Sequence, residues 1–125
     1  MIYKVGMLCK HFKGNDLLEK NIYRIEKLGV NGFDIDQTII TYTGDGNLDT
    51  ATNLVVYANI FQGNKLFCRE YEDISGELSN EKKEMFNQTI KVQPLTNEEI
   101  DLVNSEEFIK EKKEAVSKKF SKKMG

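Results

Sequence analysis

Tryptophan is missing, proline and histidine occur once each, cysteine occurs twice, and neither charge sign nor any apolar run dominates. Each scarcity excludes something. Cys9 and Cys68 stand far apart without a Cys-x-x-Cys pair, so free thiols are expected rather than a disulfide framework. With His11 the only histidine, a zinc site is not expected. Lys plus Arg total 18 against 20 Asp plus Glu, a balance that opposes a protein-wide electrostatic grip on nucleic acid or anionic lipid and leaves room only for a local patch. The opening Met1-Ile2-Tyr3-Lys4-Val5-Gly6-Met7-Leu8 lacks the continuous apolar core and small-residue cleavage site of a signal peptide, and no segment approaches a membrane span. A cytoplasmic location without a membrane partner is therefore expected. The shortage of proline and tryptophan beside abundant Lys, Asn and Ile reads as compositional bias.

What is present is a pattern of short strands. The most informative stretch is Asn53 to Tyr71: Leu54-Val55-Val56-Tyr57 and Ile60-Phe61, then Gln62-Gly63-Asn64-Lys65, then Leu66-Phe67-Cys68-Arg69. Gly63 and Asn64 both tolerate positive φ, so the spacing predicts an antiparallel hairpin closed by a two-residue turn, with Ile60 opposite Phe67 and Ala58 opposite Arg69. An earlier strand is predicted from Asn21 to Val30. Its apolar positions change parity between Ile25 and Leu28, which requires a bulge near Glu26-Lys27. Thr38-Ile39-Ile40-Thr41 predicts another strand over about Gln37 to Thr43, and Thr89-Ile90-Lys91-Val92 a last short one ending before Pro94. Because both faces of the hairpin are partly apolar, the strands are expected to coil over a shared interior.

Helical signals follow. Ser79 is placed to cap a short turn through Phe86, Thr96 with Glu99 forms a capping-box pattern, and Ser105-Glu106-Glu107 opens a helix with an acidic first turn and a lysine-rich end. The stripe of Phe108, Ile109, Val116 and Phe120 is thin, so this helix is expected to dock weakly, pair with another chain or fray. The organisation is thus a β domain over residues 1–95 and a helical, Lys-rich extension over 96–125, mainly β overall.

Lys10-His11-Phe12-Lys13-Gly14, the strand Ile22-Tyr23-Arg24-Ile25 running to Leu28-Gly29-Val30, and the segments Leu54-Val55-Val56-Tyr57 and Leu66-Phe67-Cys68-Arg69 resemble domain-of-unknown-function family 1653. The matching segments cover about half of the chain. The resemblance implies a small bacterial domain with an SH3-like antiparallel barrel or roll, and it implies no activity.

Chemistry is thinly marked. His11 with Cys9 or Cys68 has the residue types of a thiol–imidazole pair, but buried cysteine and hydrogen-bonded histidine are the commoner arrangement. Asp34, Asp36, Asp45 and Asp49 suit turns without needing catalysis. Asp45-Gly46-Asn47-Leu48-Asp49 opens like a calcium loop, but Thr50 stands where glycine is needed and Val56 where a bidentate glutamate is needed. Gly44-x-Gly46 lacks the third glycine of a dinucleotide fingerprint. No cofactor, metal or catalytic residue is therefore assigned. Lys10, Lys13, Lys20, Arg24 and Lys27, interleaved with Phe12 and Tyr23, make a candidate strip for phosphate contact and stacking, diluted by Asp16, Glu19 and Glu26. The expected function is a non-enzymatic binding or adaptor module using Lys10, His11, Phe12, Lys13, Tyr23, Tyr57 and Arg69 toward a nucleic acid, nucleotide or peptide. The alternatives are a small hydrolase-like enzyme built on His11 with a cysteine or aspartate, and an assembly module acting through the terminal helix.

Overall fold

A computed structural model of the chain describes residues 2–30, 33–34 and 53–124. The expected strand at Gln37 to Thr43 and the aspartates from Asp36 to Asp49 lie outside them. Among the described residues there are six strands: β1 (Leu8–His11), β2 (Ile22–Val30), β3 (Phe33–Asp34), β4 (Asn53–Asn59), β5 (Lys65–Glu70) and β6 (Val92–Pro94). The helices are α1 (Tyr71–Ile74), α2 (Asn80–Phe86), α3 (Asn97–Val103) and α4 (Glu106–Met124). All strand pairs are antiparallel, in the order β5-β4-β2-β1-β6, with β3 also paired to β2.

The bulge sits where the parity of the apolar residues demands it. Ile25 lies opposite Tyr57 and Lys27 opposite Val56, so Glu26 is the extra residue. It rotates the rest of β2 by one position and keeps Tyr23, Ile25 and Leu28 together against one core. That core gathers Tyr3, Cys9, Tyr23, Ile25, Val55, Tyr57, Ile74 and Val92 on one face of the sheet. Side chains of the opposite parity, Leu8 and Ile22, enter a second cluster with Leu95, Val103 and Phe108 from the C-terminal segment.

These two clusters correct the expected barrel. The sheet is open, its edges β5 and β6 do not close on each other, and the architecture is mixed α/β rather than mainly β. Apolar residues on both faces call for two covering layers, and the molecule supplies them separately. The N-terminal Tyr3 and α1 cover one face, while α3 and α4 cover the other. A sheet with both faces covered has no need to wrap over itself. Helices α3 and α4, which fall within the expected helical extension over 96–125, thus share a core with the strands.

The hairpin forms with a different register. Ala58 pairs with Leu66, Tyr57 with Phe67 and Val55 with Arg69. Gly63 and Asn64 do take positive φ values of 64° and 55°, and Lys65 N–H donates to Gln62 O at 3.3 Å. A further turn precedes them, in which Gln62 N–H donates to Asn59 O at 3.2 Å. The extra turn takes Ile60 and Phe61 out of the ladder and into the second cluster, where the Phe61 ring meets Phe108 edge-on at 6.1 Å. Burial of two large apolar side chains outweighs a tighter loop. The capping predictions hold: Ser79 accepts from Lys82 N–H, and Thr96 with Glu99 completes a reciprocal capping box. Ser105 Oγ accepts from Phe108 N–H at the start of α4.

Candidate functional site

Two buried lysines organise the molecule around the connection between β1 and β2. Lys20, 3% exposed, donates to Phe12 O at 3.0 Å, Phe86 O at 2.9 Å and Gln88 Oε1 at 3.0 Å. These three acceptors use every N–H of the ammonium. The Gln88 amide donates in turn to Lys10 O, Ile90 O and Lys91 O. From the other side Lys112 of α4 donates to Leu17 O at 3.1 Å and Leu18 O at 2.6 Å, and also to Lys20 O. A connection crossing a sheet end leaves carbonyls that neither helix nor ladder can satisfy. Here ammonium groups satisfy them.

The pinned connection forms one wall of a cleft of about 390 Å³. Lys10 from β1 and Lys20 lie within it, Leu17 and Leu18 contribute apolar surface from the connection, and α3 and α4 add Glu99, Leu102, Phe108 and Glu111. Asn87, in the left-handed conformation at the end of α2, borders it as well. Lys10 Nζ donates to Glu99 Oε2 at 2.7 Å. The other carboxylate oxygen, Oε1, accepts from Thr96 N–H at 3.0 Å within the capping box. Burial alone would raise the Glu99 pKa, but the hydrogen bonds from Lys10 and Thr96 outweigh it and hold it below the usual carboxylate range. Burial, reinforced by the nearby charge of Lys10, holds Lys20 below the ordinary lysine range.

The residues singled out from sequence divide into three groups. Tyr23 and Tyr57, each 6% exposed, pack ring against ring at 4.6 Å inside the first core. They continue an aromatic row in which Phe67 stacks on Tyr57 at 5.6 Å and His11 meets Tyr23 at 6.3 Å. Arg69 is exposed, lies 5.8 Å from the Phe67 ring centre and donates to Cys68 O. Phe12 is buried against Phe86, and the exposed Lys13 reaches over its ring at 5.9 Å, as Lys82 does at 5.6 Å. Lys10 alone of the seven faces the cleft. The other members of the basic strip are dispersed: Lys20 is internal, and Arg24 pairs with Glu26 at 2.7 Å.

His11 Nδ1 accepts from Lys13 N–H at 3.3 Å, which leaves the proton on Nε2 in the neutral ring. Burial and the charges of Lys13 and Lys20 lower its pKa. Burial pushes the Cys9 thiol up to about 12, and both cysteines are free. Among the described residues no group of three or more His, Cys, Asp or Glu side chains is placed to hold a metal ion, and no helix is long and apolar enough to cross a membrane.

The cleft residues Leu17, Leu18 and Glu111 carry no mark in the sequence. The signal for Glu99 marks a helix cap, which it is, but the same carboxylate also receives Lys10. No family model, curated protein or solved structure matches the chain.

Proposed function

We propose that this chain is a small-molecule binding module whose ligand occupies the cleft between the β1–β2 connection and the α3–α4 pair. The observation that carries this is the ion pair Lys10–Glu99 on the cleft wall. Only one N–H of the Lys10 ammonium is engaged among the described residues, by Glu99, so two donors remain to face a ligand. A concave surface that combines apolar side chains with fixed polar groups is a form that ligand sites take, and the volume of this cleft falls in the usual range of about 300–1,000 Å³. Anchoring of the wall by Lys20 and Lys112 supports a preformed site.

Binding is favoured over hydrolysis by the chemistry of the candidate nucleophile. A thiol with a pKa near 12, such as Cys9, carries little thiolate at neutral pH, and the hydrogen bond at His11 Nδ1 comes from backbone. It is favoured over nucleic-acid recognition by the internal use of Lys10 and Lys20 and by the near-balanced total charge. The resemblance to domain-of-unknown-function family 1653 belongs to the proposal too: its segments fall on β1, β2, β4 and β5, which are successive neighbours in the sheet, as an open SH3-like roll would have them. A cytoplasmic setting accords with the free thiols.

The test is a backbone-amide NMR titration with a panel of small polar molecules at millimolar concentration. Shifts are expected at Lys10, Leu18 and Glu99 with at least one member. Leu102 is 49% exposed, so Leu102→Trp fills the cleft mouth at little cost to the fold and should abolish those shifts. A panel that leaves the cleft amides unmoved, or shifts that persist in Leu102→Trp, refutes the assignment.

A further inference from the structure

The charges around the cleft are sorted by depth. Its positive groups are buried: Lys20 is 3% and Lys10 9% exposed. Two of its negative groups, Asp16 and Glu111, stand at exposed positions. Glu99, the carboxylate between them, has an oxygen on Lys10 and an oxygen on Thr96 N–H. Asp16 spends Oδ1 on Glu19 N–H at 3.0 Å, and the Glu111 side chain makes no hydrogen bond among the described residues. An anion entering this cleft meets two carboxylates at the mouth. A cation meets two ammonium groups at the base, one of them already paired with Glu99. Neither charge by itself complements the whole site, while Leu17, Leu18 and the buried Phe108 supply an apolar stretch along the wall.

We infer that the cleft selects a small zwitterion with an apolar body, its carboxylate received by the spare donors of Lys10 and its ammonium by Glu111 and Asp16 at the mouth, as in a short apolar peptide with free termini. This rests on the reading of the cleft as a ligand site. Lys20 contributes through its charge alone, since its donors are all committed. Glu99 acts as a positioning residue that fixes the Lys10 ammonium. A carboxylate on that ammonium makes a charge-assisted hydrogen bond, the class of polar contact that discriminates most strongly when water is excluded.

The experiment titrates the full chain with leucylleucine, N-acetyl-leucylleucine and leucylleucinamide, following the amides of Lys10, Leu18 and Glu99. Leucylleucine is expected to bind more tightly than either derivative by about tenfold, the effect of one charge-assisted hydrogen bond. Glu111→Gln should weaken the preference over the acetylated form, with Asp16 left to receive the ammonium, and Lys10→Gln should erase the preference over the amide. Glu111 is exposed, so its variant keeps the fold and decides the matter even where Lys10→Gln, which strips Glu99 of its partner, does not fold. Equal binding of all three probes, or tighter binding of either derivative, overturns the zwitterion inference and leaves the small-molecule reading standing. The inference also fails if other panel members move the cleft amides and leucylleucine does not. A cleft silent toward the whole panel removes the underlying reading.

Discussion

Lys20→Met is the most direct test of the idea that buried ammonium groups hold this fold together. The side chain is 3% exposed and serves Phe12 O, Phe86 O and Gln88 Oε1. Methionine matches the length and removes every donor. Each buried acceptor left without a partner costs about 1–3 kcal/mol, which would give roughly 3–9 kcal/mol for three. Several effects reduce that sum. The Gln88 amide can reorient, water can reach carbonyls at the cleft wall, and the desolvation of a buried charge, itself several kcal/mol, is relieved. The lowered pKa of Lys20 records that last cost. A net loss of about 2–4 kcal/mol is expected, which at an m-value of about 2 kcal/mol/M corresponds to a fall of about 1–2 M in the urea midpoint. Equilibrium unfolding at neutral pH measures it, with hydrogen exchange of the amides in residues 12–20 as a local readout. Adding Gln88→Leu to the variant should deepen the loss, because the Gln88 amide also serves Lys10 O, Ile90 O and Lys91 O. A midpoint unchanged within error, at unchanged m-value, would refute the claim that Lys20 anchors this connection.

Phe108→Ala empties the centre of the second cluster and should destabilise by about 3–5 kcal/mol in the same assay; a loss below about 1 kcal/mol would mean that α4 does not dock. Acid should weaken the fold in two stages. The depressed pKa of His11 means that the unfolded chain binds the proton more readily, so stability falls as pH drops below about 6.5. The depressed pKa of Glu99 adds a second loss below about 4.3, ending once pH has passed its folded value. His11→Gln should remove only the first stage in a pH series of unfolding midpoints. At high pH the raised values of Cys9 and Tyr57, each about 12, work the other way, with stability full at neutrality and declining above about pH 9. Thiol labelling of the native protein should modify Cys68, which is partly exposed, well before the buried Cys9; equal rates would contradict the packing of β1.

The parts of the fold that sequence made legible are those decided within one element. The Ser79 cap, the Thr96–Glu99 box and the bulge at Glu26 depend on neighbouring residues, and each lies where the local pattern puts it. The hairpin shows where local information stops. Gly63 and Asn64 adopt the backbone expected of them, but the register is set by Ile60 and Phe61 leaving for a cluster that includes residues of β1, β2, α3 and α4. Closure into a barrel failed for a related reason: apolar residues on two faces of a strand do not say whether one sheet curls or two helical layers arrive.

The candidate site was illegible because its key residues carry an ambiguous letter. Lysine normally belongs to solvent, so Lys10 on β1 and Lys20 on the connection after it read as members of a surface strip. What buries them is the convergence of Phe12, Phe86 and Gln88 around one ammonium and of Glu99 on another, contacts that join β1, α2 and α3 across most of the chain. The same arrangement couples stability to binding. The wall that Lys20 fixes is the wall that a ligand would touch, so a ligand bound only by the folded state should raise the unfolding midpoint of the native chain by RT ln(1 + [L]/Kd). In Lys20→Met part of that binding energy goes into ordering residues 12–20, and the same probe should bind more weakly. Equal affinity in the two proteins would mean that the cleft wall is set by the sheet and α3 alone.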